Sequence, residues 1–575
     1  MKLKIILIVF SLFFLSACDS GKNKNADLLA GIIEKVQDHK GFEREEFPLG
    51  LFNEAYFQAE ADFASGCIDE LNQLDTLQFS ESEMISFELL KFKLQNTVDY
   101  NDFEMYLNPL LSDSGFHSSL VYRVRPLKDY EQAKKYLNML NDIPRHVDEY
   151  FLLIDKGLKK GVSQPRVIFK GYESTYDMHL VDDFKDSYFY GPFKKLPNDM
   201  TEQQKDSVLA AAENSIEQAV TPQFERIKAF FEDNYFPNTR TTLGVSSTPN
   251  GEAFYQNRIN YYTTSKQYTA QDIHDIGLSE VKRIRGEMQK IIEEVGFKGS
   301  FDDFLLFLRT DEQFYAKTPR ELMMIARDMA KRADEQLPRF FMTLPRKPYG
   351  VAPVPDAIAP KYTAGRYVGS REDNEPGYYW VNTYDLPSRT LYTLPALTVH
   401  EAVPGHHLQG SLNNELGDSI PSFRRNLYLS AYGEGWGLYT EFLAAEMGMY
   451  TTPYERFGQL TYEMWRACRL VVDTGVHALD WTREEMVQFM RENTALSLHE
   501  IETETDRYIS WPGQALSYKI GEIKIRELRK LAEASLGTDF DIREFHEVIL
   551  EQGTVTLPIL EKRINQYIAK KKNDA

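Results

Sequence analysis

Residues 398–409 of this chain read Thr-Val-His-Glu-Ala-Val-Pro-Gly-His-His-Leu-Gln, and the rest of the sequence is organised around them. The stretch places three histidines and one carboxylate within eight residues, directly after an apolar run. Imidazole is the commonest protein ligand of a catalytic zinc ion, and a carboxylate beside the first ligand can act as a general base. The stretch therefore predicts a metal site that begins at His400, with Glu401 as the base.

The spacing of these histidines departs from the familiar His-Glu-x-x-His arrangement. In that motif one helical turn places both histidines on one face, whereas here Pro404 stands four residues after His400. In a regular helix, a residue six further on lies about 240° around the axis, and one seven further on lies about 10 Å along it. Pro404 and Gly405 are residue types that break or bulge a helix. We therefore expect a short insertion that lets His406 or His407 return to the metal.

The length and the net charge of the chain limit the class of protein to which it can belong. A chain of 575 residues can bury a large core and suggests two or more structural units. Its net charge of −20, with no basic patch, argues against nucleic acid or an anionic membrane surface as a partner. We interpret most of this charge as solvated helix faces that keep the protein soluble.

The N-terminus predicts export and lipid attachment. A basic start followed by an apolar run at residues 5–15 is typical of a secretory signal peptide and is too short to span a bilayer comfortably. The run ends in Leu15-Ser16-Ala17-Cys18, which resembles the bacterial lipobox. Residues 1–17 are predicted to be a lipoprotein signal peptide and 18–27 a polar tether, with lipid on Cys18 as the membrane anchor in the cell envelope. The alternative is a plain signal peptide.

Most of residues 28–240 is predicted to be helical. Apolar residues recur there at intervals of three and four, and no chemical motif occurs, so we interpret this region as a helical scaffold or lid. A turn-rich segment from Thr239 to Gly251 marks the predicted boundary with a metal-binding catalytic region, 241–575. The predicted helices of the first region are Leu28–Gln37, Glu81–Tyr100, Asp129–Asn141, Pro144–Lys160, Thr201–Val220 and Pro222–Glu232.

Some segments of the catalytic region are predicted to be extended. Gly251–Tyr255 and Tyr261–Ser265 resemble strands, and Arg366–Gly369 and Gly377–Thr383 are predicted to form two strands joined by a polar loop. In zinc peptidases of the thermolysin type, an edge strand just before the metal helix pairs with the substrate backbone. We hypothesise this role for Tyr378–Thr383. The alternative is a hairpin that only packs against the protein.

A catalytic zinc ion takes three protein ligands and leaves one position open. Glu434 is the preferred third ligand, because Gly433 and Gly435 flank it and allow other groups to approach the ion closely. Glu441 lies two turns further along the same face and is expected to support a ligand from behind. Either glutamate could instead be a helix-surface residue without a role.

Two later stretches are candidates to complete the site. Arg469, Asp473 and His477 recur at intervals of four, either as a buried polar network beside the site or as an ion pair followed by a terminal histidine. Residues 506–519 carry phenols and cations that could stabilise an oxyanion opposite the metal, and their spacing does not choose among them. The candidates in that stretch are Arg507, Tyr508, Tyr518 and Lys519.

Four motifs occur in order: HEAVPGHH at 400–407, EGWGLYTE at 434–441, RLVVDTGVH at 469–477 and PGQALSY at 512–518. Through them, residues 251–560 resemble a bacterial group known as domain-of-unknown-function family 885. The resemblance implies a mainly α fold related to the angiotensin-converting-enzyme and oligopeptidase type, with a small β-hairpin or sheet beside the metal site and a deep cleft. It also implies a zinc peptidase role and, for many members, lipidation.

A weaker similarity concerns the metal ligands. Glu434-Gly435-Trp436-Gly437 is similar to the Glu-Gly-Phe-Ala segment of zinc aminopeptidases, whose glutamate binds zinc. In helical zinc oligopeptidases a glycine precedes the second ligand histidine, as Gly405 precedes His406, although the gap after the first histidine is longer here. The implied zinc ligands are His400, His406 and Glu434, with His407 as the alternative second ligand.

The combined prediction is a zinc metallopeptidase that cleaves short peptides. Glu401 would act as general base on zinc-activated water, and one of Tyr508, Tyr518 or His477 would help zinc to hold the oxyanion. One alternative is a zinc amidohydrolase acting on cell-wall or modified amino-acid amides. Others are a lipid-anchored binding protein without turnover and a redox metal such as iron, which accepts the same ligand types.

Overall fold

A computed structural model describes residues 24–356, 358–359, 362–370 and 374–574. The predicted signal peptide and Cys18 lie outside these residues. The first described helix begins at Lys24, so the last four residues of the predicted tether, Lys24–Asp27, are helical instead of extended. A helix that crosses a membrane needs about 20 mostly apolar residues, and the helices of the described segments include none of that kind.

The chain is mainly helical, as predicted. In chain order the α-helices are α1 (Lys24–Asp38), α2 (Glu54–Asn72), α3 (Glu81–Asp102), α4 (Tyr130–Lys159), α5 (Ser174–Asp177), α6 (Glu202–Ser215), α7 (Thr221–Ala229), α8 (Gly251–Tyr262), α9 (Ala270–Glu294), α10 (Phe301–Thr310), α11 (Pro319–Phe340), α12 (Leu394–Glu401), α13 (His406–Glu415), α14 (Ser422–Arg425), α15 (Ser430–Glu446), α16 (Pro453–Ala478), α17 (Arg483–Asn493), α18 (Leu498–Ser510), α19 (Leu516–Leu536), α20 (Ile542–Leu550) and α21 (Leu557–Asp574).

One small sheet interrupts the helices. Its strands are β1 (Tyr349–Pro353), β2 (Gly365–Val368) and β3 (Gly377–Val381), in the spatial order β1-β3-β2. Strand β3 pairs parallel with β1 and antiparallel with β2. The predicted pair of strands is therefore confirmed, whereas β1 lies in a proline-rich stretch that shows no strand pattern.

Two sequence predictions in the helical regions are wrong. Of the two segments expected to be extended, Gly251–Tyr255 and the first two residues of Tyr261–Ser265 lie in the single helix α8, in which Tyr255 and Ile259, four residues apart, are both buried. The two helices expected on either side of Pro144 form the single helix α4. A proline inside a helix costs about 3 kcal/mol, and the buried side chains of Ile143 and Val147 show that packing continues across it and offsets that cost.

Each of the two large apolar cores contains residues from both sides of position 240. One joins α4 and α7 to α9, α10 and α16, and the other joins α1, α2 and α3 to α15, α19, α20 and α21. Helix α16 packs along α9, and α15 packs along α19. The division into 28–240 and 241–575 thus stays a prediction about sequence organisation, while the cores are built jointly.

We expect acid to destabilise this fold. Burial lowers the pKa of five histidines from about 6.5 to about 3 or 4, so the folded protein keeps them neutral where the unfolded chain binds protons. Stability is therefore lost as the pH falls below about 6.5, by up to about 2 kcal/mol per histidine at pH 5. These histidines are His117, His146, His179, His477 and His546.

Urea unfolding at pH 7.5, 6 and 5, with a chelator in every sample to remove any metal contribution, measures this loss. Asp473 acts in the opposite direction, because burial raises its pKa to about 7 and its proton is released on unfolding. His400 acts in the same direction as Asp473 in the metal-free protein, because burial lowers its pKa but hydrogen bonds with Glu434 and Glu441 outweigh burial and raise the pKa to about 10. These two groups offset only part of the loss from five imidazoles. A free energy of unfolding that stays constant from pH 7.5 to 5 would contradict the prediction.

Candidate metal centre

Three side chains meet between α12, α13 and α15. Ligand atoms of His400, His406 and Glu434 all lie within 4.8 Å of one another. The Nε2 atoms of both histidines are 3.5 Å from the same carboxylate oxygen, Oε2 of Glu434. Two ligand atoms bound about 2.1 Å from a tetrahedral zinc ion stand roughly 3.4 Å apart. Two of the three separations therefore match those of ligands on one tetrahedral ion, and all three side chains lie where one ion could be shared.

The chain between the two histidines is a tight turn. Helix α12 ends at Glu401, and the backbone N–H of Gly405 returns to the carbonyl oxygen of Val399 at 2.9 Å. A Cβ atom at Gly405 would stand 1.9 Å from the carbonyl oxygen of His400, so only glycine fits this close return. The next residue, His406, begins α13 and faces the first histidine again. The predicted interruption of the helix is present.

Helix α15 approaches α12 closely enough to bring Glu434 to the histidines. A Cβ atom at Gly437 would stand 2.7 Å from the imidazole ring of His400, so the absence of a side chain there makes room for the ring. The indole N–H of Trp436 donates to the carbonyl oxygen of Pro404 at 2.9 Å and ties the turn to α15. The sequence EGWG therefore meets two requirements. It packs α15 against the turn, and it places the Glu434 carboxylate at the cluster.

His400 is held from behind, as expected, by Glu441. Its Nδ1 lies 2.7 Å from Oε1 of that carboxylate, which is fully buried. A carboxylate accepts hydrogen bonds, so Nδ1 carries the proton and Nε2 presents its lone pair to the cluster. The guanidinium of Arg466 lies 4.0 Å from the same oxygen.

The charges at this point favour a cation. Burial lowers the pKa of His400, but hydrogen bonds with Glu434 and Glu441 outweigh it and raise the pKa to about 10. Burial raises the pKa of Glu434, but the two imidazoles outweigh it and hold the pKa well below its ordinary value. The His400 shift arises because the carboxylates of Glu434 and Glu441 face this ring from two sides, and the Glu434 shift arises because both imidazoles face its carboxylate. A divalent ion supplies the positive charge that the carboxylates attract.

Glu401 lies beside the cluster and is anchored by the sheet. Its Oε2 accepts a hydrogen bond of 2.7 Å from the backbone N–H of Tyr367 in β2. The side chain is mostly buried, at 9% exposure. The predicted general base is therefore fixed in orientation next to the first predicted ligand.

The sheet corrects the prediction for the edge strand. Tyr378–Thr383 was expected to pair with substrate, but β3 is the central strand and is already paired on both sides. The edge strand next to the site is β2, because the N–H of Tyr367 points to Glu401 and not to β3. A substrate backbone at this sheet would therefore meet β2.

His407, the alternative second ligand, faces away from the cluster. Its Nδ1 lies 3.1 Å from the hydroxyl of Tyr367, and its Nε2 lies 3.1 Å from the carbonyl oxygen of Lys347. Consecutive residues of a helix point about 100° apart, so α13 can direct only one of its first two histidines to the metal. The geometry selects His406.

The predicted oxyanion residues have different surroundings. His477 is fully buried, with the backbone N–H of Val245 at its Nδ1 and the carbonyl oxygen of Tyr508 at its Nε2, so neither ring nitrogen is free for substrate. The hydroxyl of Tyr508 is taken by Trp465, Arg469 and Glu504. A catalytic role for these two side chains is not supported by their hydrogen bonds.

Tyr518 keeps its place as a candidate. It is half-buried, and the guanidinium of Arg469 lies 4.4 Å from its ring centre. It also lies close to Tyr428. Burial, then Glu434 and then Tyr518 raise the pKa of the Tyr428 phenol. The hydroxyl of Tyr428 donates to Oε1 of Glu434 at 2.7 Å. Tyr518 thus lies near the cluster, one side chain behind the carboxylate.

The other polar residues of these stretches serve the fold. Arg469, Asp473 and His477 do not bind one another as an i, i+4 network. Arg469 and His477 both contact Tyr508, through its hydroxyl and its carbonyl oxygen, and Asp473 binds other elements. Asp473 accepts from the hydroxyl of Tyr255 and from the N–H of Gly513. Lys519 is buried among glutamates of α9, α16 and α19 and is not available to a substrate.

Most of the chain matches a known protein family. The family model described as bacterial protein of unknown function (DUF885) matches residues 40–564. The chain belongs to this family. The resemblance seen in the four sequence motifs is thereby confirmed and extends to most of the region before residue 240. A comparison with curated proteins finds no match for this DUF885 protein.

Two solved structures share the fold of this DUF885 protein. A predicted lipoprotein from Colwellia psychrerythraea aligns with a TM-score of 0.84 at 25% identity, over 95% of this chain and 99% of that chain. A predicted lipoprotein of unknown function from Shewanella oneidensis aligns with a TM-score of 0.70 at 17% identity, over 94% and 99% of the two chains. The second likeness shows the fold alone.

Two tyrosines beside the site were missed in the sequence. Tyr428 holds Glu434, and Tyr367 holds Glu401 through its N–H and His407 through its hydroxyl. Neither tyrosine belongs to a motif that predicts such a contact. Tyr367 reaches Glu401 because β2 lies against the end of α12. Tyr428 reaches Glu434 because it lies in the turn before α15.

Replacing Glu441 by Gln in this DUF885 protein is expected to weaken zinc binding by about 10- to 100-fold, because a neutral amide orients and polarises His400 less than a carboxylate does. Competition against a chromogenic chelator measures the affinity. Glu446→Gln is the matched control, because that carboxylate lies on the same helix at the surface and pairs with Arg529. Equal affinities in both variants would contradict the role assigned to Glu441.

Proposed function

We propose that this DUF885 protein is a zinc metallopeptidase that cleaves short peptides. The observation that carries the proposal is the position of Glu401, adjacent in sequence to His400 and anchored by Tyr367, beside a cluster of two imidazoles and one carboxylate whose ligand atoms lie within 4.8 Å of one another. His₂Glu is a ligand set of catalytic zinc that leaves one coordination position open. The donor set and its buried negative charge both fit that ion.

His400, His406 and Glu434 would hold the zinc ion. When bound, zinc supplies positive charge that polarises a carbonyl group and acidifies water. Glu441 keeps Nε2 of His400 free to bind by holding the proton on Nδ1. Tyr428 occupies Oε1 of Glu434 and leaves Oε2 directed at both histidines.

Glu401 is proposed to move the protons of the reaction. The N–H of Tyr367 fixes Oε2, and Oε1 would accept a proton from water as the water attacks the scissile carbonyl carbon. The same carboxyl would then donate that proton to the nitrogen of the leaving amine. Because the carboxylate is mostly buried and anchored, it needs no reorganisation between the two transfers.

The developing oxyanion needs a hydrogen-bond donor, and Tyr518 is the proposed one. Its phenol lies near Tyr428, whose hydroxyl donates to Glu434 of the cluster. Replacing Tyr518 by Phe removes the hydroxyl and keeps the ring over Arg469. Loss of one oxyanion donor costs about 10²–10³-fold in kcat.

The proposed location is the bacterial cell envelope, with lipid on Cys18 as the anchor. The structure from Colwellia psychrerythraea, which shares this fold at 25% identity, is described as a predicted lipoprotein, which supports this assignment. Short peptides are the proposed substrates, because a buried site set between helices and a sheet admits an extended chain more easily than a folded protein. The net charge of −20 supports the exclusion of nucleic acid.

Elemental analysis combined with a peptide-cleavage assay tests the proposal. We expect about one zinc per chain, and release of new amino termini from a mixture of short peptides that stops with a chelator and returns with zinc. Zinc without peptide cleavage but with cleavage of cell-wall amides would replace the peptidase by an amidohydrolase. Zinc binding without any turnover would indicate a binding protein.

A further inference from the structure

A pocket of about 250 Å³ lies next to α12, on the side of the sheet. We call it the side pocket and define it by six of its lining residues. It is bounded by the start of β2, by α12 and its preceding turn, and by α16. The defining residues are Ala364, Tyr392, Leu394, Leu397, Thr461 and Tyr462.

Several polar groups in the wall of the side pocket are already paired with the protein, and Arg389 of the wall donates through Nε to the carbonyl oxygen of Tyr384. The guanidinium of Arg309 donates to the carbonyl oxygens of residues 494–496, and the amide nitrogen of Asn382 donates to carbonyls of the loop before β2. The hydroxyl of Thr461 donates to the carbonyl oxygen of Phe457. At the rim, Glu500 caps α18. The interior therefore presents mainly apolar surface to an occupant.

Helix α12 connects the side pocket to the proposed general base. Leu394, Leu397 and Glu401 are spaced by three and four residues and thus form one stripe along the helix. Side chains four apart on a helix have Cβ atoms about 6 Å from each other. The pocket wall at Leu397 is therefore one helical turn from the Glu401 carboxylate.

Strand β2 makes the same connection independently. Ala364 lines the side pocket directly before the strand begins, and Tyr367, three residues later, donates its N–H to Glu401. An extended chain rises about 3.3 Å per residue, so this distance is roughly 10 Å. A peptide lying along the free edge of β2 would pass the pocket and the base within two or three of its own residues.

Helix α16 provides a third connection, to the histidine side of the cluster. The ring of Tyr462 lies in the pocket wall, with the guanidinium of Arg466 4.8 Å from its centre. That guanidinium lies 4.0 Å from Glu441, which binds His400. The side pocket is therefore connected to Glu401 through α12 and β2, and to His400 through α16 and Glu441.

The size of the side pocket suits a large apolar side chain. An engineered cavity of about 150 Å³ binds benzene, so 250 Å³ accommodates a phenyl or indole ring. A charged side chain would have to be buried against apolar walls whose polar groups are already bonded, and that costs free energy without compensation. Aromatic and long aliphatic side chains remain.

We propose that the side pocket receives the aromatic or long aliphatic side chain of the peptide residue next to the scissile bond. This inference rests on the proposed peptidase function and names its substrate class. Peptides with Phe, Trp or Leu at that position are the preferred substrates. Peptides with Asp or Lys there are rejected.

Filling the side pocket tests the inference. In the wild type we expect kcat/KM for a peptide with Phe beside the scissile bond to exceed that for the Ala analogue by about 10²-fold. Thr461→Phe adds a ring from the α16 wall and should lower this ratio to about 1 with cleavage of the Ala peptide retained. Thr461→Val is the matched control, since it loses the same hydroxyl without filling the space, and should keep the ratio. An unchanged ratio in Thr461→Phe, or a wild type without preference, would overturn the inference.

Binding of indole, measured by calorimetry with the full-length protein, separates the pocket from the chemistry. Wild type and Thr461→Val should bind indole, and Thr461→Phe should not, whether or not any peptide is cleaved. Failure of cleavage with this binding pattern would count against the peptidase and in favour of the pocket, whereas cleavage without indole binding would count against the pocket alone. If Thr461→Phe does not fold, Ala364→Phe fills the pocket from the strand side, with Ala364→Ser as its control.

Discussion

Replacing Glu401 by Gln is expected to abolish peptide cleavage while zinc stays bound. The amide oxygen of glutamine can still accept the hydrogen bond from the N–H of Tyr367, so the side chain keeps its place. It cannot take a proton from water, and loss of a general base lowers kcat by about 10²–10⁴-fold. The His400, His406 and Glu434 cluster is unchanged, so the metal content should remain about one per chain.

Two measurements on the same preparation are needed, the zinc content and the rate of peptide cleavage. Glu527→Gln is the matched control, because this glutamate is exposed on α19 and pairs with Lys524 at the surface. It should behave as wild type in both measurements. Full activity in Glu401→Gln would remove the proposed mechanism, and loss of zinc in that variant would show that Glu401 acts as a ligand.

The sequence was most informative where chemistry and local geometry coincide. The turn after Glu401 was predicted from Pro404 and Gly405, because these residue types end helices whatever surrounds them. This turn is encoded within a dozen residues and needs no tertiary information. Glu434 was predicted as a ligand because glycines flank it, but Gly433 and Gly435 face Tyr428 and α19, and the glycine that makes room for His400 is Gly437.

Roles that depend on distant partners were not accessible in the same way. His477 belongs to a sequence motif, yet both of its ring nitrogens form hydrogen bonds with backbone groups. One is the N–H of Val245, more than two hundred residues away along the chain, and the other is the carbonyl oxygen of Tyr508, about thirty residues away. Tyr367 orients Glu401 from a strand that the sequence placed correctly but in the wrong position within the sheet. Strand order follows from β1, whose proline-rich sequence carries no strand signal.

The pattern of apolar residues also fails to distinguish helix from strand where aromatic residues are frequent. The segment from Gly251 was predicted to be extended because Phe and Tyr favour strands, but its buried residues Tyr255 and Ile259 recur at the helical interval. Burial against α16 and α19 decides the outcome there. Propensity is a weak guide when packing favours the other conformation.

The last expected result concerns the choice between the two adjacent histidines. His400→Ala, His406→Ala and Glu434→Gln should each reduce bound zinc from about one per chain to well below one under a competing chelator, since each removes one of three ligands. His407→Ala should keep the metal, because its ring binds Tyr367 and Lys347 instead of the cluster.

His407→Ala is also the matched control for folding. Removing its buried ring leaves partners unpaired and should lower the free energy of unfolding by about 1–3 kcal/mol, so a loss of zinc in the other variants cannot be attributed to destabilisation alone if His407→Ala retains its metal. Retention of zinc by His406→Ala together with its loss from His407→Ala would mean that α13 turns by one residue when the ion binds. In that case Tyr367, which contacts both His407 and Glu401, would have to move, and the anchoring proposed for the general base would fail with it.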